Sequence, residues 1–220
     1  MPVDSATHDG FFRNNGLSIA FFTLGLLSIV GQAISGFAAY NSSLSESQLP
    51  VISFAAYLGT GTFLDGVFSN WQAAVLQLGT LITLGSFLRQ RGAAHSLKPK
   101  EEGGHKGDQP SDSRPSEHGW LHDHSLSLAF AVLFVIFLGL HAIAGARKNN
   151  EDGLLRHHAP ITFPQYLHSA AFFFTLGQTW EAEFFVMGLY LLLSIFLRQK
   201  GSSESKSSNS SNQKTGEVNE

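Results

Sequence analysis

Four polar side chains stand out because they lie within stretches of sequence that are otherwise apolar. They are Gln32, His141, Glu181 and Glu183. Imidazole is the side-chain group that titrates nearest to neutral pH, and a neighbouring carboxylate favours its protonated form. His141 with Glu183 is therefore the combination in this sequence best suited to proton or cation chemistry.

Four apolar blocks contain these residues and decide the class of protein. They cover residues 16–40, 71–88, 125–146 and 180–197. At a rise of about 1.5 Å per residue, each block is long enough to cross a hydrocarbon core of about 30 Å. Lipid offers the backbone no hydrogen-bond partners, so such blocks must be helices. The sequence therefore predicts an all-α integral membrane protein with four transmembrane helices.

The second half of the sequence repeats the first. Residues 16–92 align without a gap on residues 125–201 at a constant shift of 109 positions, which indicates an internal repeat. Because each copy contains two spans, the second copy enters the membrane from the same side as the first. We predict two parallel repeated helical hairpins at 16–92 and 125–201, with an N-terminal segment at 1–15, a disordered polar linker at 93–124 and a disordered tail at 202–220.

Each copy also contains an aromatic segment between its two spans, at 52–63 and 161–174. These segments are too short and too interrupted by Gly or Pro to span, so we expect interfacial helices or turns at the membrane surface. Four residues at the ends of the second and fourth blocks are the expected interfacial anchors. They are Trp71, Trp180, Arg89 and Arg198.

Basic residues are unevenly distributed about the spans. Arg89 and Arg91 follow the second span, and Arg198 and Lys200 follow the fourth, whereas residues 41–70 contain no Lys or Arg. The positive-inside rule then places both termini and the linker in the cytoplasm. Three basic residues of the second connector favour the opposite orientation but are outnumbered: Arg147, Lys148 and Arg156.

Several strings resemble a bacterial family of tandem two-span units known only as a domain of unknown function. They are NGLSIAFFTLGLLSIVGQAISGFAAYN (15–41), ISFAAYL (52–58), NWQ (70–72) and FLRQRG (87–92). The resemblance covers most of residues 11–206, and RQKGSSESK at 198–206 is similar to the usual close of the family. It implies a protein of the bacterial cytoplasmic (inner) membrane and supplies no activity. The family pattern has an acidic residue three positions after the tryptophan; Glu183 matches it and Ala74 departs from it.

Depth in the membrane suggests that His141 and Glu183 face each other across the third and fourth spans. Both lie near the outer ends of their blocks, so we expect an ion pair there, with Gln32 and Ala74 as its uncharged equivalent in the first copy. The alternative is structural. Carboxylates near a helix N-terminus favour its dipole, and a histidine near the surface can reach water.

A second group of polar residues precedes the third block: His118, His122, Asp123 and His124. Their spacing is compatible with a metal site, but the first copy has no equivalent, and a polar membrane-entry segment is the favoured interpretation. The chain has no cysteine, a net charge of −3 and no nucleophile or nucleotide motif. We expect no catalytic residue, metal, cofactor or nucleic-acid partner.

Two functions fit these features. The first is a non-enzymatic multi-pass membrane protein with an assembly or envelope-associated role and the lipid bilayer as its partner. The second is a small transporter or channel subunit for a proton, cation or small solute. Four short helices enclose little space, so the second function would require a homo-oligomer.

Overall fold

A computed structural model describes residues 11–96 and 119–215 of the chain. The predicted linker at 93–124 is therefore described only at its two ends, and residues 97–118 lie outside the described part. Within the described ranges every regular element is a helix. The helices are α1 Phe11–Asn14, α2 Gly16–Glu46, α3 Phe54–Leu58, α4 Gly61–Gly85, α5 Trp120–Asp123, α6 Ser125–Leu155, α7 Phe163–Leu167 and α8 Ala170–Phe196.

Three of the described helices are long and apolar enough to cross a membrane. They are α2, α6 and α8. The apolar side chains of α2 are largely exposed, including Phe22 at 81 % and Leu17 at 73 %, as expected for a surface that faces lipid. The helix α4 is not in this set, because its sequence includes Asp65, Gln72 and Gln77.

Helix boundaries recur along the chain with the spacing of the sequence repeat. The helices α2 and α6 begin at Gly16 and Ser125, α3 and α7 begin at Phe54 and Phe163, and α4 and α8 begin at Gly61 and Ala170. Each pair is 109 residues apart. The connectors also contain matching side-chain contacts, described next.

Two asparagines fix the connectors in the same way. Asn41 donates to the carbonyl of Ile52 (3.0 Å) and accepts from its amide (2.9 Å). Asn150 makes the same two bonds to Ile161, at 3.0 and 2.9 Å. A side-chain amide has both a donor and an acceptor, so it can replace a missing backbone partner at the end of a helix.

Hydroxyl caps start the helices that follow. The side chain of Thr60 accepts from the amide of Phe63 at the start of α4, and Ser169 accepts from Phe172 at the start of α8. These caps correct one expectation. The apolar blocks were predicted to open at Trp71 and Trp180, but the helices begin ten residues earlier. The glycines and threonines near residue 60 are cap and first-turn residues rather than interruptions.

Helices α4 and α6 form the closest-packed pair, with α8 against α4 on another side and α2 in much less contact. The pair is antiparallel along its length. At one end a Cβ on Gly61 would collide with the backbone of Lys148, and at the other a Cβ on Gly79 would come within 3.2 Å of the Cβ of Phe130. The two helices come from different aligned segments, α4 from residues 16–92 and α6 from residues 125–201.

The described part of the tail packs against the segment that follows α4. Residues 202–215 form a series of turns beside residues 90–96. The buried Lys206 ammonium donates to the carbonyl of Gly92 (2.6 Å) and to those of Ser211 and Lys214. His95 and Glu204 form an ion pair at 2.8 Å. Backbone acceptors around one lysine allow a polar segment to pack without an apolar core.

Candidate functional site

The imidazole of His141 lies fully buried between α6 and α4. Its Nδ1 is 3.4 Å from Oε1 of Gln72, and its Nε2 is 3.4 Å from Oδ1 of Asp65. Gln72 is also fully buried, and the Asp65 side chain is 4 % exposed. The ring therefore sits between an amide deeper along α4 and a carboxylate nearer the start of that helix.

Lys148 completes this row of side chains. Its Nζ is 2.9 Å from Oδ2 of Asp65. The lysine side chain is 40 % exposed, so the ammonium lies at the edge of the cluster while the carboxylate is inside it. Burying a carboxylate without a counter-charge would cost several kcal/mol, and Lys148 removes most of that cost.

Glu151 makes the last contact between the two helices. Its carboxylate accepts from the amides of Gly61 (2.6 Å) and Thr62 (2.9 Å) and from the hydroxyl of Thr62 (2.8 Å). The first amides of a helix have no partner within the helix, and the dipole there favours a negative charge. Glu151 thus ties the end of α6 to the start of α4. We call Asp65, Gln72, His141, Lys148 and Glu151 the α4–α6 cluster.

Tyr166 of α7 lies beside this cluster. A Cβ on Gly145 would collide with the Tyr166 hydroxyl and would come within 3.0 Å of Oδ1 of Asp65. The phenol is buried, and burial raises the pKa of Tyr166 to about 12, with the Asp65 carboxylate as the second cause. The hydroxyl is therefore neutral across the physiological range and stands close to the carboxylate as a proton-bearing group.

Three polar atoms inside the cluster have no hydrogen-bond partner among the described residues. They are Oδ1 of Asp65, Nε2 of His141 and Nε2 of Gln72. Unpaired buried polar atoms are rare in folded proteins and call for a specific explanation. In this cluster the two atoms that face each other, on Asp65 and His141, are both among them.

The structure gives His141 a carboxylate partner, but it is Asp65 and not Glu183. Among the described contacts of Glu183, its carbonyl accepts from Nε2 of Gln77 at 3.1 Å, and no ion pair joins it to His141. The expectation was wrong because it paired adjacent spans of one hairpin. The extensive packing is instead between α6 and α4, so Asp65 occupies the position assumed for Glu183.

The other predicted residues lie outside the cluster. Gln32 rests against α4 on the adjoining side, where a Cβ on Gly66 would come within 2.6 Å of its Nε2. Glu181 is exposed on α8 and Glu183 is half-buried. Trp71 packs on Phe137 with ring centroids 5.4 Å apart.

Trp180 packs on Phe134 at 6.2 Å, and its indole Nε1 is buried without a partner in the described part of the chain. Arg89 is exposed. Arg198 donates to the carbonyls of Ile195 and Ser210 and to the side chain of Asn212, so it is bound to the tail. The interfacial location of the four expected anchors stays a prediction; they are Trp71, Trp180, Arg89 and Arg198.

The second candidate group is only partly described, because His118 lies outside the described residues. His122 approaches Asp123 at 3.7 Å, and His124 stacks on Trp120. Within the described ranges no set of three His, Asp or Glu side chains is arranged to hold a metal ion.

Sequence reasoning missed four members of the α4–α6 cluster: Asp65, Gln72, Lys148 and Glu151. Residue 65 was assigned to a connector because α4 was expected to begin later. The available signal was periodicity, since Asp65, Ser69 and Gln72 are buried polar residues at a spacing that places them on one helical face. Lys148 was counted only as a basic residue of the second connector, and Glu151 was not considered.

Long apolar helices with exposed apolar surfaces, together with one interior set of charged groups, are compatible with a helical membrane protein. Within that class, the chain belongs to the family described as domain of unknown function DUF6766, whose sequence model matches residues 8–217. The match confirms the resemblance to an uncharacterised domain family. No curated protein and no solved structure matches the chain.

Proposed function

We propose that this chain is a non-enzymatic, four-span protein of the bacterial cytoplasmic membrane with an assembly or envelope-associated role. In this proposal its two hairpins are tandem repeats, and the α4–α6 cluster is the joint that holds them together. Both termini and the linker are cytoplasmic. The single observation that supports the joint best is that its charged contacts all connect α4 of one copy to α6 of the other.

The fourth span is supported by packing and not by hydropathy. The helix α4 contains 25 residues, or about 36 Å at 1.5 Å per residue, and it lies antiparallel against α6 from Gly61 to Gly79. If α6 crosses the membrane, α4 occupies the same depth. Its buried side chains Asp65 and Gln72 face His141 of α6, and the interior of a helix bundle is where membrane proteins accommodate ionisable groups.

The repeat is supported by local geometry. Helix starts, the asparagine bonds to Ile52 and Ile161, and the hydroxyl caps all recur at the same spacing as the sequence match. The basic residues after α4 and α8 support a cytoplasmic location for the linker and tail. The contacts between residues 90–96 and 202–215 agree with it, because they require both segments to lie on one side.

The joint can be tested on the full chain with a protease site inserted between residues 97 and 118. After cleavage in mild detergent the two halves should co-elute. The double variant Asp65→Asn with Glu151→Gln should separate them, because it removes the charge from both contacts between α4 and α6. The control Glu181→Gln, at an exposed glutamate of α8, should leave them together. Separation of the unsubstituted halves would refute the joint.

A second candidate function has one observation in its favour. A groove of about 280 Å³ between α4 and α6 continues along the same helix pair towards the other end, where Thr80, Thr83 and Ser127 are among its lining residues. A buried His and Asp on the same helix pair as such a groove suit a proton or cation transporter working as an oligomer. Liposome assays separate the two functions. The assembly role predicts no flux above that of protein-free vesicles, whereas flux abolished by His141→Gln would establish transport.

A further inference from the structure

The two nitrogens of His141 face groups with different hydrogen-bonding abilities. Nδ1 faces the Gln72 amide, which contains both an acceptor and two donors, at 3.4 Å from its oxygen. Nε2 faces only the Asp65 carboxylate, which accepts when ionised, also at 3.4 Å. The row of groups runs from Gln72 through His141 and Asp65 to Lys148.

Hydrogen placement in this row has two self-consistent solutions. With the Gln72 oxygen towards the ring, Nδ1 must bear a hydrogen. A second hydrogen is then needed on Nε2, because two bare acceptors would otherwise face each other. This is the imidazolium form, and Asp65 balances its charge. It gives Oδ1 of Asp65 and Nε2 of His141, which have no hydrogen-bond partner among the described residues, an ion pair at 3.4 Å.

Rotation of the Gln72 amide by half a turn gives the second solution. The amide nitrogen then donates to a bare Nδ1, and Nε2–H faces the Asp65 carboxylate at 3.4 Å. Amide oxygen and nitrogen have nearly the same size, so the heavy-atom frame is the same in both cases. Gln72 is fully buried and its own nitrogen is unpaired in the first orientation, so the reversal gives that nitrogen a partner.

We infer that His141 and Asp65 form a binding site for one exchangeable proton, and that the Gln72 amide reverses as the proton arrives or leaves. On binding, the proton bonds to the lone pair of Nδ1, and the cluster of Asp65, His141 and Lys148 gains one positive charge. On release, the electron pair returns to Nδ1 and the amide turns its nitrogen to the ring. The inference rests on the proposed joint and gives it a regulatory ligand.

The charged groups around the ring are few and come from known elements. On α6 they are Lys148, Glu151 and Asp152, of which Glu151 is engaged by the first turn of α4. Asp65 is the contribution of α4, and α7 contributes the neutral phenol of Tyr166. The helix α8 presents the Phe172 ring, 6.5 Å from the imidazole. Asp65 therefore favours proton binding and Lys148 opposes it.

The test is nitrogen NMR on the full chain, labelled at histidine and glutamine side chains and reconstituted in lipid nanodiscs. The His141 signals are assigned by their loss in His141→Gln. Between about pH 5 and 8, where an imidazole switches charge, both ring nitrogens should change together and reversibly, and the Gln72 amide signals should change with the same midpoint. Ring signals that stay constant over this range, in protein that circular dichroism shows to be folded, would overturn the inference.

Variants then establish which groups form the site. Asp65→Asn should lower the midpoint by about one pH unit or more, a tenfold loss of proton affinity, and Lys148→Gln should raise it. The control Gln32→Leu, in α2 and against a different side of α4, should leave the midpoint unchanged. If Asp65→Asn does not fold, the Lys148→Gln shift decides alone, and an unshifted midpoint refutes the assignment. If the halves co-elute after cleavage but the His141 ring signals do not change with pH, the joint is retained and the proton-binding site is rejected.

Discussion

Two segments, residues 16–92 and 125–201, share the same connector and cap contacts but differ in their charged residues. Both contain an asparagine bonded to an isoleucine across the connector, a hydroxyl cap on the following helix and a tyrosine hydroxyl against a glycine of the preceding one. The second segment adds His141, Lys148 and Glu151, where the first has Gln32, Ala39 and Ser42.

This difference separates two kinds of polar residue. Those that recur serve the local fold of each segment, because their partners lie in the same segment. Those that do not recur reach across to α4, and their partners lie between 69 and 90 positions away. We conclude that the unmatched charges serve the contact between segments and not the fold of either one.

The largest effect is expected from Lys148→Met. The substitution keeps the length of the side chain but leaves the Asp65 carboxylate buried without its cation, so the free energy of unfolding should fall by about 3 kcal/mol. Titration with sodium dodecyl sulfate in mixed micelles measures this change.

The matched control is Ala39→Met at the equivalent position of α2. Residue 39 is exposed, and its substitution removes no counter-charge from a carboxylate. It should change stability by less than about 0.5 kcal/mol. Adding Asp65→Asn to Lys148→Met should recover part of the loss, because it removes the unpaired charge. Equal losses of stability at positions 39 and 148 would contradict the conclusion that the unmatched charges serve the contact between segments.

An intermediate effect is expected from the asparagines. Asn41→Ala and Asn150→Ala each remove two hydrogen bonds to a part-buried backbone, which should cost about 1–3 kcal/mol in the same assay. Because the two geometries match, the two losses should agree to within about 1 kcal/mol. A large loss at one site with none at the other would show that the segments do not share this support.

The smallest effect concerns Tyr166 at high pH. Its pKa is about 12 in the folded protein against an ordinary value near 10. A raised pKa on an acid means that stability is fully present below pH 10 and is lost as the pH rises towards 12. The midpoint temperature should therefore drop over that interval, and Tyr166→Phe should reduce the drop. Tyr57, whose pKa is raised by burial and then by Glu151, provides the comparison in the first segment.

The sequence supported the helical class, the family and the helices α2, α6 and α8, because length and apolar content are local properties. It misplaced the starts of α4 and α8, since the segments at 52–63 and 161–174 were taken to be interrupted by Gly or Pro, and the capping roles of Thr60 and Ser169 were not recognised. It could not supply the partner of His141. Which helices pack together depends on close approaches such as that of Gly61 to Lys148, and these join residues distant in the chain.

The central claim, that α4 crosses the membrane as a fourth span, is tested most directly by cysteine accessibility. The chain has no cysteine, so Ser45→Cys, Gln90→Cys and Ser203→Cys each introduce a single reactive site at an exposed residue. Four spans predict that an impermeant maleimide added to intact cells labels position 45, and labels positions 90 and 203 only after lysis. Labelling of positions 90 and 203 in intact cells together with position 45 would mean that α4 does not cross, and would contradict the claim.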